Sequence, residues 1–508
     1  MTGAPDLGEA GQSAVVAFLA DPATHGGQTP ERVTTHGHHL FLLPDRVFKL
    51  KRARRFPFLD YSTLALRHTA CAREVAINSR FAPGLDYRLL PVTRTPDGGL
   101  ARGGDGQEVD GPAVDWLVSM ARFPDASQFD RLLAAGTLTP ALVDAMADRI
   151  VALHAAAAPA PRHFTRRIFT RTVTDLCAGL RAAGPDTLEP ACRDRLVAAL
   201  GAGLATHLPQ IQRRRRAGLV RHLHGDLHLR NWCLWQGQPT PFDAIEFDDN
   251  IACTDLLYDL AFPVMDLADR GRADYASRLL NRYLEATGDY AGLSLLPFYL
   301  AVRAAVRAMV ATLEGRSGDD YARAALAFLE ARQPRLIAVG GLSGSGKSTL
   351  AGALAPTLPP VPGAIWLRSD GIRKRLHGMT PETPLPAGAY TAGVSRRVYA
   401  VMTRQAGTAL RRGWSVIADA TFLHPASRRR VEALATRHAV PFTGLWLEAP
   451  AALLEARADA RSGDASDATA SVIRRQQQER LGRLDWHRLA TDRPSAAVLT
   501  EARDLLDA

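Results

Sequence analysis

With 508 residues, 46% of them hydrophobic and 22% charged, the chain is too long for one core and has the composition of a globular protein of two or more domains. No run of eighteen apolar residues is free of charge, no basic-then-apolar leader opens the chain, and Cys71, Cys177, Cys192, Cys233 and Cys253 lack metal-ligand spacing; no membrane span, no signal peptide and a reduced, cytoplasmic setting are expected. The formal charge of +10 invites a nucleic-acid role, but of 62 basic residues only Lys49, Lys51, Lys347 and Lys374 are lysine. Arginine wherever either cation serves suggests coding bias, so each surviving lysine is a candidate for a site that needs a compact charge.

Ala14, Val15, Phe18 and Leu19 stand at helical spacing and predict a short leading helix. Residues 35–43 and 47–51 flank Pro44-Asp45 and read as a β-hairpin, with Lys49 and Lys51 on one face of its second strand. A helical pattern over 62–81 carries Glu74. Strands are predicted at 87–93 and 113–120 around a Gly/Asp-rich turn at 97–106, before a linker at 122–125. Thr139-Pro140 opens a helix lined by Val143, Met146, Ile150 and Leu153. Further helices are predicted over 172–182 and 190–212, with Arg213–Arg216 as a solvated end.

In His224-Gly225-Asp226-Leu227-His228-Leu229-Arg230-Asn231 a strand delivers Asp226, and Asn231 follows five residues later. Asp243, Glu246, Asp248 and Asp249 are predicted on a second strand, and Tyr258-Asp259-Leu260-Ala261 on a helix. Phosphoryl transfer needs a base, metal ligands and a cation on the phosphates, and these residues offer such a set. His-Gly-Asp-Leu-His-x-x-Asn with the Tyr-Asp-Leu-Ala helix resembles the aminoglycoside phosphotransferase and choline kinase group. The strand-lysine and helix-glutamate order before it resembles a protein-kinase-like small lobe. The resemblance implies Asp226 as catalytic base, Asn231 and a downstream carboxylate as Mg²⁺ ligands, and Lys49, paired with Glu74, on the ATP phosphates. Glu246 is the favoured carboxylate, with Asp243 and Asp248 as rivals, and Lys51 is the alternative lysine. His224 and His228 are read as orienting the loop. The chain departs from the group in lacking a Gly-x-Gly-x-x-Gly loop, with Gly37 alone near its place. Helices over 255–269, 273–286, 292–314 and 318–332 complete this half, and Gln333-Pro334 ends it.

The second half opens on an apolar strand, 336–340, followed by Gly341-Leu342-Ser343-Gly344-Ser345-Gly346-Lys347-Ser348-Thr349 and a helical pattern. Strand, Gly-x4-Gly-Lys-Ser and helix together define a P-loop, whose backbone N–H groups gather phosphates while Lys347 reaches them and Ser348 ligates Mg²⁺. Strands at 364–369, 414–418 and 441–447 alternate with helices and predict a parallel sheet with ligands at its C-terminal ends. Asp370-x-x-Arg373, Asp419 and Arg457-x3-Arg461 follow in order. This half resembles the polynucleotide kinase, zeta-toxin and gluconate kinase group. The resemblance implies Asp370 as base on the acceptor hydroxyl, Arg373 and Asp419 on the acceptor, and Arg457 and Arg461 as a lid over ATP; it gives Lys374 no role, and that residue is read as a candidate contact to an anionic acceptor.

The expected fold class is an α+β protein-kinase-like two-lobed domain, 1–333, followed by an α/β P-loop NTPase domain with a parallel sheet, 334–508. The whole chain resembles a bacterial fusion of an aminoglycoside-phosphotransferase-like domain with a P-loop kinase-like AAA-family ATPase domain. That resemblance implies a bifunctional ATP- and Mg²⁺-dependent phosphotransferase acting on the hydroxyl of a small molecule. Nucleic acid is the less favoured partner. A nucleic-acid 5′-end kinase and a non-catalytic ATP-binding regulator are the alternatives.

Overall fold

The computed structural model describes residues 11–55, 60–104, 111–331, 333–459, 467 and 469–507. They form two compact units: Met1–Ala145, Leu153–Thr165 and Gly218–Asp259 in the first, and Met146–Ala152, Arg166–Ala217 and Leu260–Ala508 in the second. This division by contact density falls inside the first predicted domain, because helices from 166–217 and 260–331 cluster with the P-loop half.

The first unit is built on a six-stranded antiparallel sheet of β1 (Glu31–Thr34), β2 (His38–Leu42), β3 (Arg46–Lys51), β4 (Arg88–Arg94), β5 (Leu100–Arg102) and β6 (Ala113–Ala121), in the order β1-β2-β3-β6-β4-β5. One face buries Phe41, Phe48, Leu50 and Leu117 against Val15 and Leu19 of helix α1 (Ser13–Ala20). The other receives helix α2 (Leu64–Phe81), which is N-capped by Thr63 and packs Cys71 by Val118. Arg67 of α2 makes a buried ion pair with Asp115 at 2.8 Å, and Gln12 donates to the same carboxylate at 2.7 Å. Beyond α3 (Phe129–Ala134) and α4 (Pro140–Ala156), two short ladders frame the segment that carries Asp226 and Asn231. The second unit includes the long helices α5 (Arg166–Ala182) and α6 (Pro190–Arg216). The ladders are β7 (Val220–His222) with β10 (Cys253–Asp255) and β8 (Trp232–Trp235) with β9 (Gln238–Pro241); α7 (Asp249–Ala252) lies between them in sequence, and α8 (Leu256–Asp269) follows.

In the second unit, α9 (Ala273–Thr287), α10 (Leu296–Leu313) and α11 (Asp319–Leu329) precede the parallel sheet. By length and composition α10 is apolar enough to cross a membrane, yet 61% of that window is buried in the protein. It contains Arg303 and Arg307. The run Arg213–Arg216 is not wholly solvated: Arg214 is buried in a two-point pair with Asp289 at 2.8 and 2.7 Å. The sheet comprises β11 (Leu336–Gly341), β12 (Ile365–Arg368), β13 (Val416–Asp419), β14 (Phe442–Glu448) and β15 (His487–Ala490), all parallel, in the order β12-β13-β11-β14-β15. The central strand β11, buried throughout, ends in the P-loop, which places the loop at the C-terminal edge of the sheet. Around it run α12 (Lys347–Leu354), α13 (Ser369–Leu376), α14 (Ala392–Arg411), α15 (Pro425–His438), α16 (Ala451–Asp459), α17 (Ala470–Gln477) and α18 (Ser495–Asp507).

Candidate active sites

The P-loop turns where side chains are not tolerated. Gly341 has φ 141°, and a Cβ there would lie 2.6 Å from the Leu447 carbonyl oxygen. Gly346 caps α12 at φ 85°. Ser348, in the first turn of α12, donates from Oγ to Oδ2 of Asp419 at 2.7 Å, and Trp366 Nε1 donates to the same oxygen at 3.2 Å. Burial raises the Asp419 pKa, while the Lys347 charge and the Ser348 hydrogen bond act against that rise. Lys347 Nζ donates to the Leu342 carbonyl at 2.7 Å. Lys347, Ser348, Asp370, Arg373 and Asp419 line one cavity of 470 Å³. A second cavity, 610 Å³, shares Gly344, Gly346 and Thr349 with it and adds Ser345, Leu350, Arg457, Val498 and Leu499.

Several predicted residues stand elsewhere than expected. Asp419 was expected on the acceptor; its carboxylate instead meets the P-loop serine, because β13 lies beside β11 and ends level with it. Asp370 follows the end of β12, in the first turn of α13, and faces the P-loop cavity. Arg373 donates to the Ala389 carbonyl at 2.7 Å and stacks 4.8 Å from the Tyr390 ring centroid. Lys374 does not meet the cavity: it is buried and paired with Asp467 at 2.8 Å, an acid that also accepts from Tyr390. Arg457 donates to the Thr491 carbonyl at 2.7 Å and lines the second cavity, away from Asp370. Arg461 lies outside the described residues.

Two groups of residues escaped the sequence. Gln476 of α17 grips the P-loop, accepting from the Ser343 amide at 2.9 Å and donating to its hydroxyl at 3.1 Å. Helix α9 supports the Asp419 side. Asn281 accepts from Trp366 N at 2.7 Å and donates to Ala364 O at 3.1 Å, satisfying the edge strand β12. Glu285 accepts from Arg368 Nε at 3.0 Å and from a second nitrogen of the same guanidinium. Arg368 lies 4.9 Å from the ring centroid of Trp366, whose indole holds Asp419. A continuous line of contacts thus runs from Glu285 to Ser348. No spacing in the sequence signals it, since its members come from separate elements.

The first unit gathers a different set. Lys49 and Lys51 point the same way from β3, and Glu74 receives both: Lys49 Nζ on Oε1 at 2.9 Å, Lys51 Nζ on Oε2 at 2.6 Å. Lys49 also meets Asp243 at 3.1 Å, and the buried Lys51 meets Glu246 at 2.9 Å. Burial works to raise the Glu74 carboxyl pKa, but the two ammonium groups outweigh it and hold it well below the usual carboxylate range. Burial likewise opposes the Lys51 charge, and Glu74 with Glu246 outweighs it and raises its pKa. Asp243 and Glu246 were expected on a strand; they lie on irregular chain after β9, where Asp243 has φ 59°.

Asn231 Nδ2 donates to the Asp226 carbonyl at 2.9 Å and to its carboxylate at 3.0 Å, and His228 Nε2 lies 3.3 Å from that carboxylate. Behind them Asp259 accepts from the Gly225 amide at 2.9 Å and contacts His154 Nε2 at 3.2 Å, while His224 contacts the Phe242 carbonyl at 3.0 Å. Asp226, about one-third exposed, is the end of a buried, hydrogen-bonded loop.

A protein-kinase-like part followed by a P-loop kinase-like part is the class that this fold and these sites define. A family model described as an AAA domain matches residues 336–481. Uncharacterized protein Rv2004c of Mycobacterium tuberculosis is 30% identical over 458 residues, covering 86% of this chain and 87% of that protein, and the chain belongs to its family. Among solved structures, aminoglycoside phosphotransferase APH(3'')-Id from Streptomyces rimosus matches 57% of this chain and 97% of its own at 21% identity and a TM-score of 0.34. A gluconokinase from Sinorhizobium meliloti matches 35% of this chain and 96% of its own at 21% identity and a TM-score of 0.25.

Proposed function

We propose that the chain is a bifunctional ATP-dependent phosphotransferase, with 1–333 and 334–508 each passing the γ-phosphate of ATP to a hydroxyl of a small molecule. The observation that carries it is the shared cavity of Lys347, Ser348, Asp419 and Asp370. A cation for the phosphates, an oxygen pair for Mg²⁺ and a carboxylate for the acceptor hydroxyl are the parts that phosphoryl transfer needs. The donor set fits the ion: Ser348 and Asp419 present hard oxygens to Mg²⁺, which suits oxygen ligands and keeps part of its water. The adjoining cavity, with Leu350, Val498 and Leu499 beside the P-loop, suits the nucleoside of ATP.

In the first half Asp226 is the proposed base, Lys49 the phosphate cation, and Asn231 with Asp243 the Mg²⁺ ligands. One observation favours a second reading there: both candidate carboxylates are engaged by lysines, Asp243 by Lys49 and Glu246, the ligand first favoured, by buried Lys51. Under that reading the first half holds ATP without transferring its phosphate. The test is a metabolite screen with γ-labelled ATP, comparing wild type, Asp226→Ala and Lys347→Ala. Each variant is expected to lose a product that wild type makes. If neither does, the two-kinase reading is wrong; if only Lys347→Ala does, the first half is a sensor.

A further inference from the structure

Helices α14 and α15 carry an unusual distribution of charge. The α14 sequence has four arginines and no carboxylate; that of α15 has four arginines and one carboxylate, Glu432. Glu432 accepts a hydrogen bond from Trp486 Nε1 at 2.8 Å, and Arg428 turns inward to the Phe422 and Leu423 carbonyls. The other seven are exposed: Arg396 and Arg397 near the start of α14, and five more, Arg404, Arg411, Arg429, Arg430 and Arg437. Among the described residues none of these five pairs with a carboxylate. Some exposed arginines elsewhere in the same domain do so, Arg474 with Glu455, Arg483 with Asp485 and Arg488 with Glu448, while others, Arg412, Arg480 and Arg503 among them, do not; the five are set apart by lining one surface together. Coding bias explains why these residues are arginine rather than lysine. It does not explain why five of them gather on one surface whose lining, among the described residues, holds no carboxylate.

The five line a concave surface. Gly407 lets the helices approach closely, since a Cβ there would lie 3.1 Å from His438 Nε2 and 3.4 Å from Leu434 Cδ1. The groove consists of cavities of 310 and 480 Å³ that share Thr403, Arg430, Leu434 and Arg437. Arg404 and Arg411 are seven residues apart on α14, and Arg430 and Arg437 are seven apart on α15. Seven residues are two turns, so each helix repeats its guanidinium about 10.5 Å along its own axis. A repeated cation suits a polymer of phosphates better than one small anion, and the guanidinium fork binds phosphate oxygens in pairs. Among the described residues no Phe, Tyr or Trp lines the groove, whose one ring is His438, so it offers backbone contacts more than base stacking. It also adjoins the P-loop cavity along the chain: Tyr399 and His424 line that cavity, Ala400 and Ala426 the groove.

We infer that the α14–α15 groove binds the phosphodiester backbone of a nucleic acid with little regard to sequence. This stands apart from the proposed chemistry: the groove binds its strand whether or not the P-loop site phosphorylates it. The test is fluorescence anisotropy of labelled oligo(U) and oligo(dT) over a salt series. The full chain is compared with Arg411→Glu/Arg437→Glu and with Arg213→Glu/Arg216→Glu, an equal charge change at exposed positions on α6. Wild type is expected to bind at low salt, with log K falling by about 0.7 per log unit of salt for each phosphate neutralised, so about 3 for four contacts. The groove variant is expected to lose affinity at least about tenfold and to show a shallower slope by about one. The α6 variant is expected to stay within about twofold of wild type. Arg404→Gln/Arg430→Gln is a second groove variant should the first fail to fold. Absence of binding by wild type at low salt, or equal losses in groove and α6 variants, would overturn the inference.

Discussion

Glu285→Ala tests whether α9 supports the P-loop site. Glu285 and Arg368 are 11% and 17% exposed. Removing the carboxylate strands the guanidinium against Trp366 with no counter-charge on that side. Breaking a fully buried pair from one end costs about 3–5 kcal/mol; the residual exposure of this pair brings the expectation to about 2–3 kcal/mol. Glu285→Met/Arg368→Met removes both charges and should recover most of the loss, giving a coupling energy of about 1–3 kcal/mol. Urea unfolding followed by tryptophan fluorescence measures both variants. Calorimetric titration with MgADP adds the functional readout: the single variant should bind more weakly, because Trp366 then holds Asp419 less firmly. The reasoning is refuted if Glu285→Ala unfolds within about 0.5 kcal/mol of wild type, or if the double variant is no more stable than the single one.

Lys51→Met leaves Glu74 and Glu246 buried without their shared ammonium group, and should destabilise the chain by about 3 kcal/mol in chemical denaturation. All five cysteines are buried, and burial pushes the Cys71 thiol up to about 12, so a disulfide dye should find no reactive thiol in the native protein and five after denaturation. Burial, then the neighbouring Asp266, lifts the Asp269 pKa to about 6 from its usual 3.8. A carboxyl raised on folding contributes stability that is fully present below about pH 3.8 and is lost as the pH rises through about 6. Asp269→Asn should therefore raise the melting temperature relative to wild type more at pH 8 than at pH 4.5.

The P-loop and the Asp226 loop were legible because each is a local device: glycines at fixed offsets after an apolar strand, and an acid delivered at a strand end. Lys49 and Lys51 were not separable, since strand alternation puts both on one face and Glu74 has an oxygen for each. The Asp419 position was legible but its role was not, because the role depends on which strand lies beside β11. Gln476 and Glu285 carry no signal in spacing; only the folded chain brings them to Ser343 and Arg368. The edge strand β15 was missed because His487–Ala490 buries only Leu489 and shows no apolar run.

The central claim is that one chain carries two ATP sites of unrelated design. Isothermal titration with Mg²⁺ and a non-hydrolysable ATP analogue tests it most directly. The account predicts two equivalents per wild-type chain, one in Lys347→Ala, one in Lys49→Ala and none when both are changed. A single equivalent in wild type, or two retained in Lys347→Ala, would contradict it.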